Sequence, residues 1–212
     1  TLYVRNNIFR LIETLASRLA DEILINFNVS AVTVKIEKPS APVGLPLKTV
    51  AAQITKKWSK AYLSIGSNLG DKKAYLDFAI SSLKEDKNIR VTKVSSYIET
   101  EPYGYTEQDE FLNCCTEIET IYSPHTLLKT VNSIEASADR KREIHWGPRT
   151  LDIDIVLCDN IILNDTKLTI PHIDMENRFF VLKPLCEIAP YAINPVNNRS
   201  VKQMYADLKN SI

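Results

Sequence analysis

Between Ala61 and Leu157 the apolar pattern changes period repeatedly, and that succession restricts the fold more than any other feature. "AYLSI" (61–65) reads as a strand, "GSNLGD" (66–71) as a turn, and the next segment as a helix with Ala74, Leu76, Ala79, Ile80 and Leu83 as its apolar positions. "IRVTKVSSYIET" (89–100) reads as one strand. "FLNCCTEIET" (111–120) reads as another, with Leu112, Cys114, Thr116 and Ile118 on one side. Ser123 and Pro124 supply an N-cap and a first-turn proline for a helix carrying Leu127, Leu128, Val131 and Ile134 to about Ala138. "TLDIDIVL" (150–157) closes the series. Strand, helix, strand, strand, helix, strand is the split βαβ order of ferredoxin-like α+β folds.

The upstream part is shorter and less complete. Ile8, Leu11, Ile12, Leu15, Leu19, Ile23 and Leu24 predict an amphipathic helix over 8–24. "SAVTVKIE" (30–37) alternates as a strand with Val32, Val34 and Ile36 on one face. "KPSAPVGLP" breaks it, "TVAAQIT" (49–55) reads as a second strand, and the basic "KKWSK" (56–60) suits a linker. One helix and two strands bury little by themselves. The expectation is an incomplete domain over 1–58 and a complete one over 59–212.

Composition excludes several classes. With 212 residues, 44% apolar and 25% charged, the chain can form a real core. Its 26 basic and 26 acidic residues give no net charge, hence no general attraction to nucleic acid or acidic membrane. No apolar run reaches the length of a membrane span. Cys114, Cys115, Cys158 and Cys186 lack zinc spacing and read as reduced, mostly buried thiols of an intracellular protein, cytoplasm and mitochondrion being equally open. The opening "TLYVRNNIFRLIETLA" has neither Met nor a targeting pattern and reads as part of a longer polypeptide.

Asp152 and Asp154, two apart on a strand, project from the same face. Such a pair is either a wet polar face or a seat for a hard divalent cation, which takes carboxylate oxygens and shares them with substrate phosphates. Arg140, Lys141 and Arg142 end the preceding helix, and Arg149 precedes Asp152 by three residues. Cations there fit a helix dipole, and they equally fit a polyphosphate gripped by guanidinium forks. Gly66 and Gly70 bracket "GSNLG", which is neither a P-loop nor a dinucleotide fingerprint. It suits a tight turn whose serine and asparagine are available to a ligand. "PHIDMENRFF" (171–180) joins His172, Asp174 and Arg178 to two phenylalanines. His125, His145 and His172 show no metal-binding spacing. Asn113 and Phe180 suit a flat heterocycle held by edge hydrogen bonds and stacking.

Taken in order, "SIGSNLGD", "ETEPYG", "FLNC", "DRKR", "WGPRTLDIDI" and "PHIDMENRFFVLKPL" resemble 6-hydroxymethyl-7,8-dihydropterin pyrophosphokinases of folate biosynthesis, over roughly residues 61 to 195. The resemblance implies transfer of the β,γ-pyrophosphate of ATP to the pterin's hydroxymethyl oxygen, with AMP released. It implies two magnesium ions on Asp152 and Asp154, and transfer arginines at Arg140 and Arg149, with Asp154 counted among the catalytic residues. It places ATP on Asn132, Glu135, Arg142, Ile155, His172 and Arg178. It places the pterin on Thr100, Tyr103, Phe111, Asn113, Trp146 and Phe180. The loops around 102–110 and 140–149 resemble those that close over the substrates.

Four positions depart from the pattern common in bacterial members. His145 stands for an arginine, Glu176 for a lysine, Phe111 for a tyrosine and Tyr103 for a leucine. The first two lower the local positive charge. "LIETLASRLA" and "VTVKIEKPSAP" resemble the back half of dihydroneopterin aldolase, of T-fold type. That resemblance implies that Glu13 anchors a pterin and Lys38 assists proton transfer, and no aldolase activity is expected from this chain. A fungal or protist multifunctional folate protein is implied, continued by dihydropteroate synthase. The alternative is a non-catalytic nucleotide- or pterin-binding scaffold module. An RNA-binding ferredoxin-like domain is rejected, because the RNP aromatics and a basic surface are missing.

Overall fold

The computed structural model describes residues 2–39, 49–103, 108–138 and 149–211. The chain divides into two compact units, Thr1–Trp58 and Ser59–Ile212. In the first, α1 (Leu2–Arg5) and α2 (Ile12–Asn26) precede an antiparallel hairpin of β1 (Ala31–Pro39) and β2 (Thr49–Lys57), with Ala31 opposite Lys57 and Pro39 opposite Thr49. α2 lays Ala16 and Ala20 against Val34, flanked by Val32, Ile36 and Ile54.

This helix starts later than the apolar spacing predicts. Ile8 is fully solvent-exposed at 101% and Leu11, the N-cap, is 62% exposed. Apolar spacing marks a helix only where a surface receives it, and the small alanines are what sit on the hairpin. The segment read as a linker is also mostly strand. Lys56 and Lys57 end β2, and Ser59 and Lys60 begin β3 (Ser59–Ser67), leaving Trp58 between them. β1 runs on through Lys38 and Pro39, and the rest of the predicted break lies outside the described residues.

In the second unit β3 is followed by α3 (Lys72–Glu85), β4 (Ile89–Val94), β5 (Ile98–Thr100), β6 (Phe111–Thr120), α4 (Pro124–Ser137) and β7 (Asp152–Cys158). The sheet order is β4-β6-β3-β7, antiparallel throughout, with β5 continuing beside β6. This is the ferredoxin-like arrangement that the element order predicts. Asp71 caps α3 by accepting from Ala74 N–H at 3.0 Å, and Ser123 caps α4 with Pro124 in its first turn. Ala74, read as an apolar position, is exposed in that first turn.

The strand predicted over 89–100 is broken at Ser95. Its N–H donates to the Cys115 carbonyl at 2.9 Å while its Oγ accepts the Cys115 N–H at 2.9 Å. The serine side chain thus supplies a rung that the backbone of a continuous strand would make.

One sheet face packs Leu63, Ile65, Ile118, Ile153 and Ile155 against α3 and α4. After β7 come the hairpin β8 (Leu163–Asn164) and β9 (Thr169–Ile170), a 3₁₀ turn (Met175–Asn177) and α5 (Phe179–Ile188). The hairpin β10 (Ile193–Asn194) and β11 (Arg199–Ser200) then leads to α6 (Val201–Ser211). α5 and α6 form a second core on the opposite face with Tyr62, Cys115, Val156 and Leu157. All four cysteines are free thiols, and burial pushes that of Cys114 up to about 12. Among the described residues, no helix is long and apolar enough to cross a membrane.

Candidate active site

The site grows from one row of the sheet. Gly66 of β3 pairs with Asn113 of β6 on one side and Asp152 of β7 on the other, and Asn113 pairs in turn with Ile98 of β5. Residues paired directly across an antiparallel ladder share a face. Asn113 and Asp152 therefore project from the same face, two strand spacings or roughly 10 Å apart. The residue between them has no side chain. One pleat further along, Asp154 pairs with Ser64 and projects from that face too.

Arginines hold both carboxylates. Arg149 Nη1 donates to Asp152 Oδ2 at 2.8 Å, and Arg178 Nη1 donates to Asp154 Oδ2 at 3.1 Å. Arg149 is itself fixed through its backbone, its N–H donating to Asn68 Oδ1 at 2.8 Å and its carbonyl accepting Asn68 N–H at 3.2 Å. Asn68 Nδ2 also donates to Gln108 Oε1 and the Asp109 carbonyl. The asparagine of the glycine-bracketed turn thus ties that turn to Arg149 and to residues 108–109. In this structure it is a structural tie.

Burial and the adjacent Asp152 carboxylate push the Asp154 carboxyl above the ordinary carboxylate range, against the pull of His172, Arg178 and Arg149. Burial holds the His172 imidazole below the usual histidine value, opposed by Asp154 and reinforced by Arg178. Its Nδ1 accepts the Asp174 N–H at 3.2 Å, so the neutral ring carries its proton on Nε2, 3.8 Å from Asp154 Oδ2.

A cleft of about 220 Å³ runs along the outer edge of β7, between α4 and the β8–β9 hairpin. Asn132, Glu135, Ile155 and His172 line it beside the two aspartates, so residues dispersed over forty positions of sequence meet there. Glu135 Oε1 accepts the Ile153 N–H at 2.8 Å, satisfying the edge-strand group between the aspartates. Lys167 and Thr169, which the sequence reading did not single out, also line the cleft. Their only signal in sequence was position, a few residues ahead of "PHIDMENR".

The aromatic residues stand beside the two arginines that hold the aspartates, Phe111 by Arg149 and the Tyr103–Phe180 pair by Arg178. Asn113 Nδ2 donates to Thr100 Oγ1 at 2.8 Å. The Phe111 ring lies 5.9 Å from the Arg149 guanidinium carbon. Tyr103, 49% exposed, tilts against Phe180 with ring centroids 6.0 Å apart, and the Arg178 guanidinium lies 5.7 Å from the Phe180 ring. Arg140, Lys141, Arg142, His145 and Trp146 lie outside the described residues. In the first unit Glu13 is exposed in the first turn of α2, and Lys38 is exposed near the end of β1, opposite Val50.

The donor set suits a hard cation shared with a phosphate ligand. Among the described residues no group of three or more His, Cys, Asp or Glu side chains is arranged to hold a metal. Two carboxylates alone leave most of a magnesium shell to water and phosphate oxygens. A cation between them would relieve the repulsion that burdens Asp154. Arg149 Nε is buried with no hydrogen-bond partner among the described residues, a donor left over for an anion.

Comparison with known proteins assigns the chain to a class. A family model described as 7,8-dihydro-6-hydroxymethylpterin-pyrophosphokinase matches residues 62–190, and one described as dihydroneopterin aldolase matches residues 1–55. The chain belongs to the 7,8-dihydro-6-hydroxymethylpterin-pyrophosphokinase family. It is 45% identical over 128 residues to the 2-amino-4-hydroxy-6-hydroxymethyldihydropteridine pyrophosphokinase of Bacillus subtilis, a match covering 60% of this chain and 77% of that protein. It is 35% identical over 215 residues to the folic acid synthesis protein fol1 of Schizosaccharomyces pombe, covering 95% of this chain and 29% of that protein. The chain thus spans less than a third of that relative's length. A crystal structure of wild-type Plasmodium falciparum HPPK-DHPS matches with a TM-score of 0.55 at 15% identity, over 72% of this chain and 45% of that one, a likeness of fold.

Proposed function

We propose that the unit Ser59–Ile212 transfers pyrophosphate from MgATP to 6-hydroxymethyl-7,8-dihydropterin. The hydroxymethyl oxygen bonds to the β-phosphorus and gives up its proton to solvent, the bond from that phosphorus to the α,β-bridging oxygen breaks, and AMP leaves. The observation that carries this reading is the row Asn113–Gly66–Asp152. It sets an amide suited to a heterocycle edge and a carboxylate suited to a hard cation on one face, with no side chain on the residue between them.

Asn113, oriented by Thr100, reads the pterin edge, while Phe111, Tyr103 and Phe180 supply stacking surface, joined by Trp146. The nucleotide lies in the cleft along β7, met by Asn132, Glu135, the edge strand at Ile155, Lys167, Thr169 and His172, and Arg142 is assigned to it by the family resemblance. Asp152 and Asp154 would hold the two magnesium ions. When bound, these neutralise the triphosphate charge and polarise the phosphorus under attack. Arg149 and Arg140 stabilise charge on the moving phosphoryl oxygens, and Arg178, which donates to Asp154 in this structure, would offer its guanidinium to a phosphate.

Residues 1–58 act as the aldolase-type portion of a multifunctional folate-synthesis polypeptide that also carries dihydropteroate synthase. Glu13 and Lys38 correspond to the pterin anchor and proton-transfer lysine of that family, with no aldolase activity expected from this chain. The test of the main reading is AMP formation by the purified chain with ATP, magnesium and the hydroxymethyl pterin. AMP release that depends on both magnesium and pterin is expected; release that needs no pterin overturns the reading.

A further inference from the structure

Glu176 lies in the 3₁₀ turn between Asp174 and Arg178, the two residues on the Asp154 side of that turn. Its own carboxylate engages the C-terminal hairpin. Oε1 accepts Asn194 Nδ2 at 3.1 Å and Asn197 Nδ2 at 2.5 Å, and Oε2 lies 3.6 Å from Arg199 Nη1. These partners are themselves held. Asn194 is 3% exposed and accepts the Val196 N–H through Oδ1, Asn197 Oδ1 accepts the Arg199 N–H, and Arg199 pairs with Asp207 of α6. Met175 is buried in the second core with Val201 and Met204.

The turn's backbone bonds are Asn177 N–H to Asp174 O at 3.2 Å and Arg178 N–H to Met175 O at 3.4 Å, the second long for such a bond. Arg178 is held directly by Asp174 and Asp154, and its carbonyl accepts from the first turn of α5. Glu176 adds an anchor of the whole turn to the C-terminal hairpin, its carboxylate accepting from two amides and facing a guanidinium.

We infer that Glu176 is a positioning residue for the nucleotide side of the site, acting through the 3₁₀ turn on Arg178 and His172. This rests on the reading of the β7 cleft as the MgATP site. It also contradicts the simplest expectation for an acid in this segment, that it weakens nucleotide binding by lowering positive charge. The two accounts differ in sign.

The test is calorimetric binding of a non-hydrolysable MgATP analogue to wild type, Glu176→Ala, Glu176→Gln and Asn197→Ala, with KM for pterin at saturating ATP and melting temperatures alongside. Positioning gives a loss of analogue affinity of about fivefold or more in Glu176→Ala and an unchanged KM for pterin. Glu176→Gln stays near wild type, because its amide oxygen still accepts from Asn194 and Asn197. Asn197→Ala, which removes the bond from the other side, shows part of the same loss and decides the matter if Glu176→Ala does not fold. Tighter binding in Glu176→Ala, or equal changes in the Ala and Gln variants, overturns the inference in favour of a charge effect. Parallel losses for both ligands with a lowered melting temperature overturn it in favour of a merely structural role. A wild-type chain that binds no analogue removes the MgATP reading and the inference together, whereas the other adverse results leave wild-type binding intact.

Discussion

Gly66 and Asn113 face each other across β3 and β6 so closely that a Cβ on Gly66 would lie 2.6 Å from Asn113 Oδ1. The glycine is needed for this approach and not for its backbone angles. Gly66→Ala must push the Asn113 amide off its Thr100 partner or strain the ladder. The expected result is a fall in kcat/KM for pterin of about tenfold or more, with affinity for an ATP analogue within twofold of wild type. Steady-state kinetics and calorimetry read the two separately; equal losses for both ligands go against the assignment of Asn113.

Glu135 is 4% exposed and accepts the Ile153 N–H, so Glu135→Ala leaves a buried edge-strand donor without this acceptor. The expected cost is about 1–3 kcal/mol of stability in urea unfolding. Glu135→Gln keeps an acceptor oxygen and is expected to recover most of it. Equal destabilisation by Ala and Gln would show that the hydrogen bond is not what matters.

Asp154 carries a carboxyl pushed upward by burial and by Asp152, so its ionised form is a burden on the metal-free fold. Asp154→Asn removes one like charge and can still accept from Arg178. The metal-free melting temperature is expected to equal or exceed that of wild type, while the rate of AMP formation falls about 100-fold or more. Magnesium with ATP should raise the melting temperature of wild type and not of the variant. A metal-free variant melting several degrees below wild type contradicts this account.

Glu117 is a different kind of acid. Burial pushes its carboxyl upward, but the Thr92 hydrogen bond together with Lys60 and Lys93 outweighs burial and leaves it below the ordinary value of 4.5. A depressed carboxyl contributes stability that is fully present above the unfolded value and lost as pH falls through the folded one. Glu117→Gln is therefore expected to be less stable than wild type at pH 7, with the gap narrowing as pH falls below about 4.5. Urea midpoints across that range check it; a gap that stays constant with pH rules out the ionised Glu117 as its source.

The local patterns were informative where a segment's own faces meet the core. Leu76, Ala79, Ile80 and Leu83 are the buried stripe of α3, and Ser123 with Pro124 starts α4 as their chemistry predicts. They misled where tertiary partners decide. Ile8 and Leu11 keep helical spacing without helix or burial, and Ser95 splits a segment that reads as one strand.

For the site, the strand period by itself put Asp152 and Asp154 on one face, because alternate residues of any strand must share one, and the ordered motifs named the family. Strand order and register lay beyond that reach. Only the packed sheet brought Asn113, Gly66 and Asp152 into one row, since a ladder joins residues that sequence separates by dozens of positions. Likewise, charge alone made Glu176 an acid too near a polyphosphate. The fold turned its carboxylate toward Asn194, Asn197 and Arg199, because a side chain's role is set by the nearest partners that satisfy it.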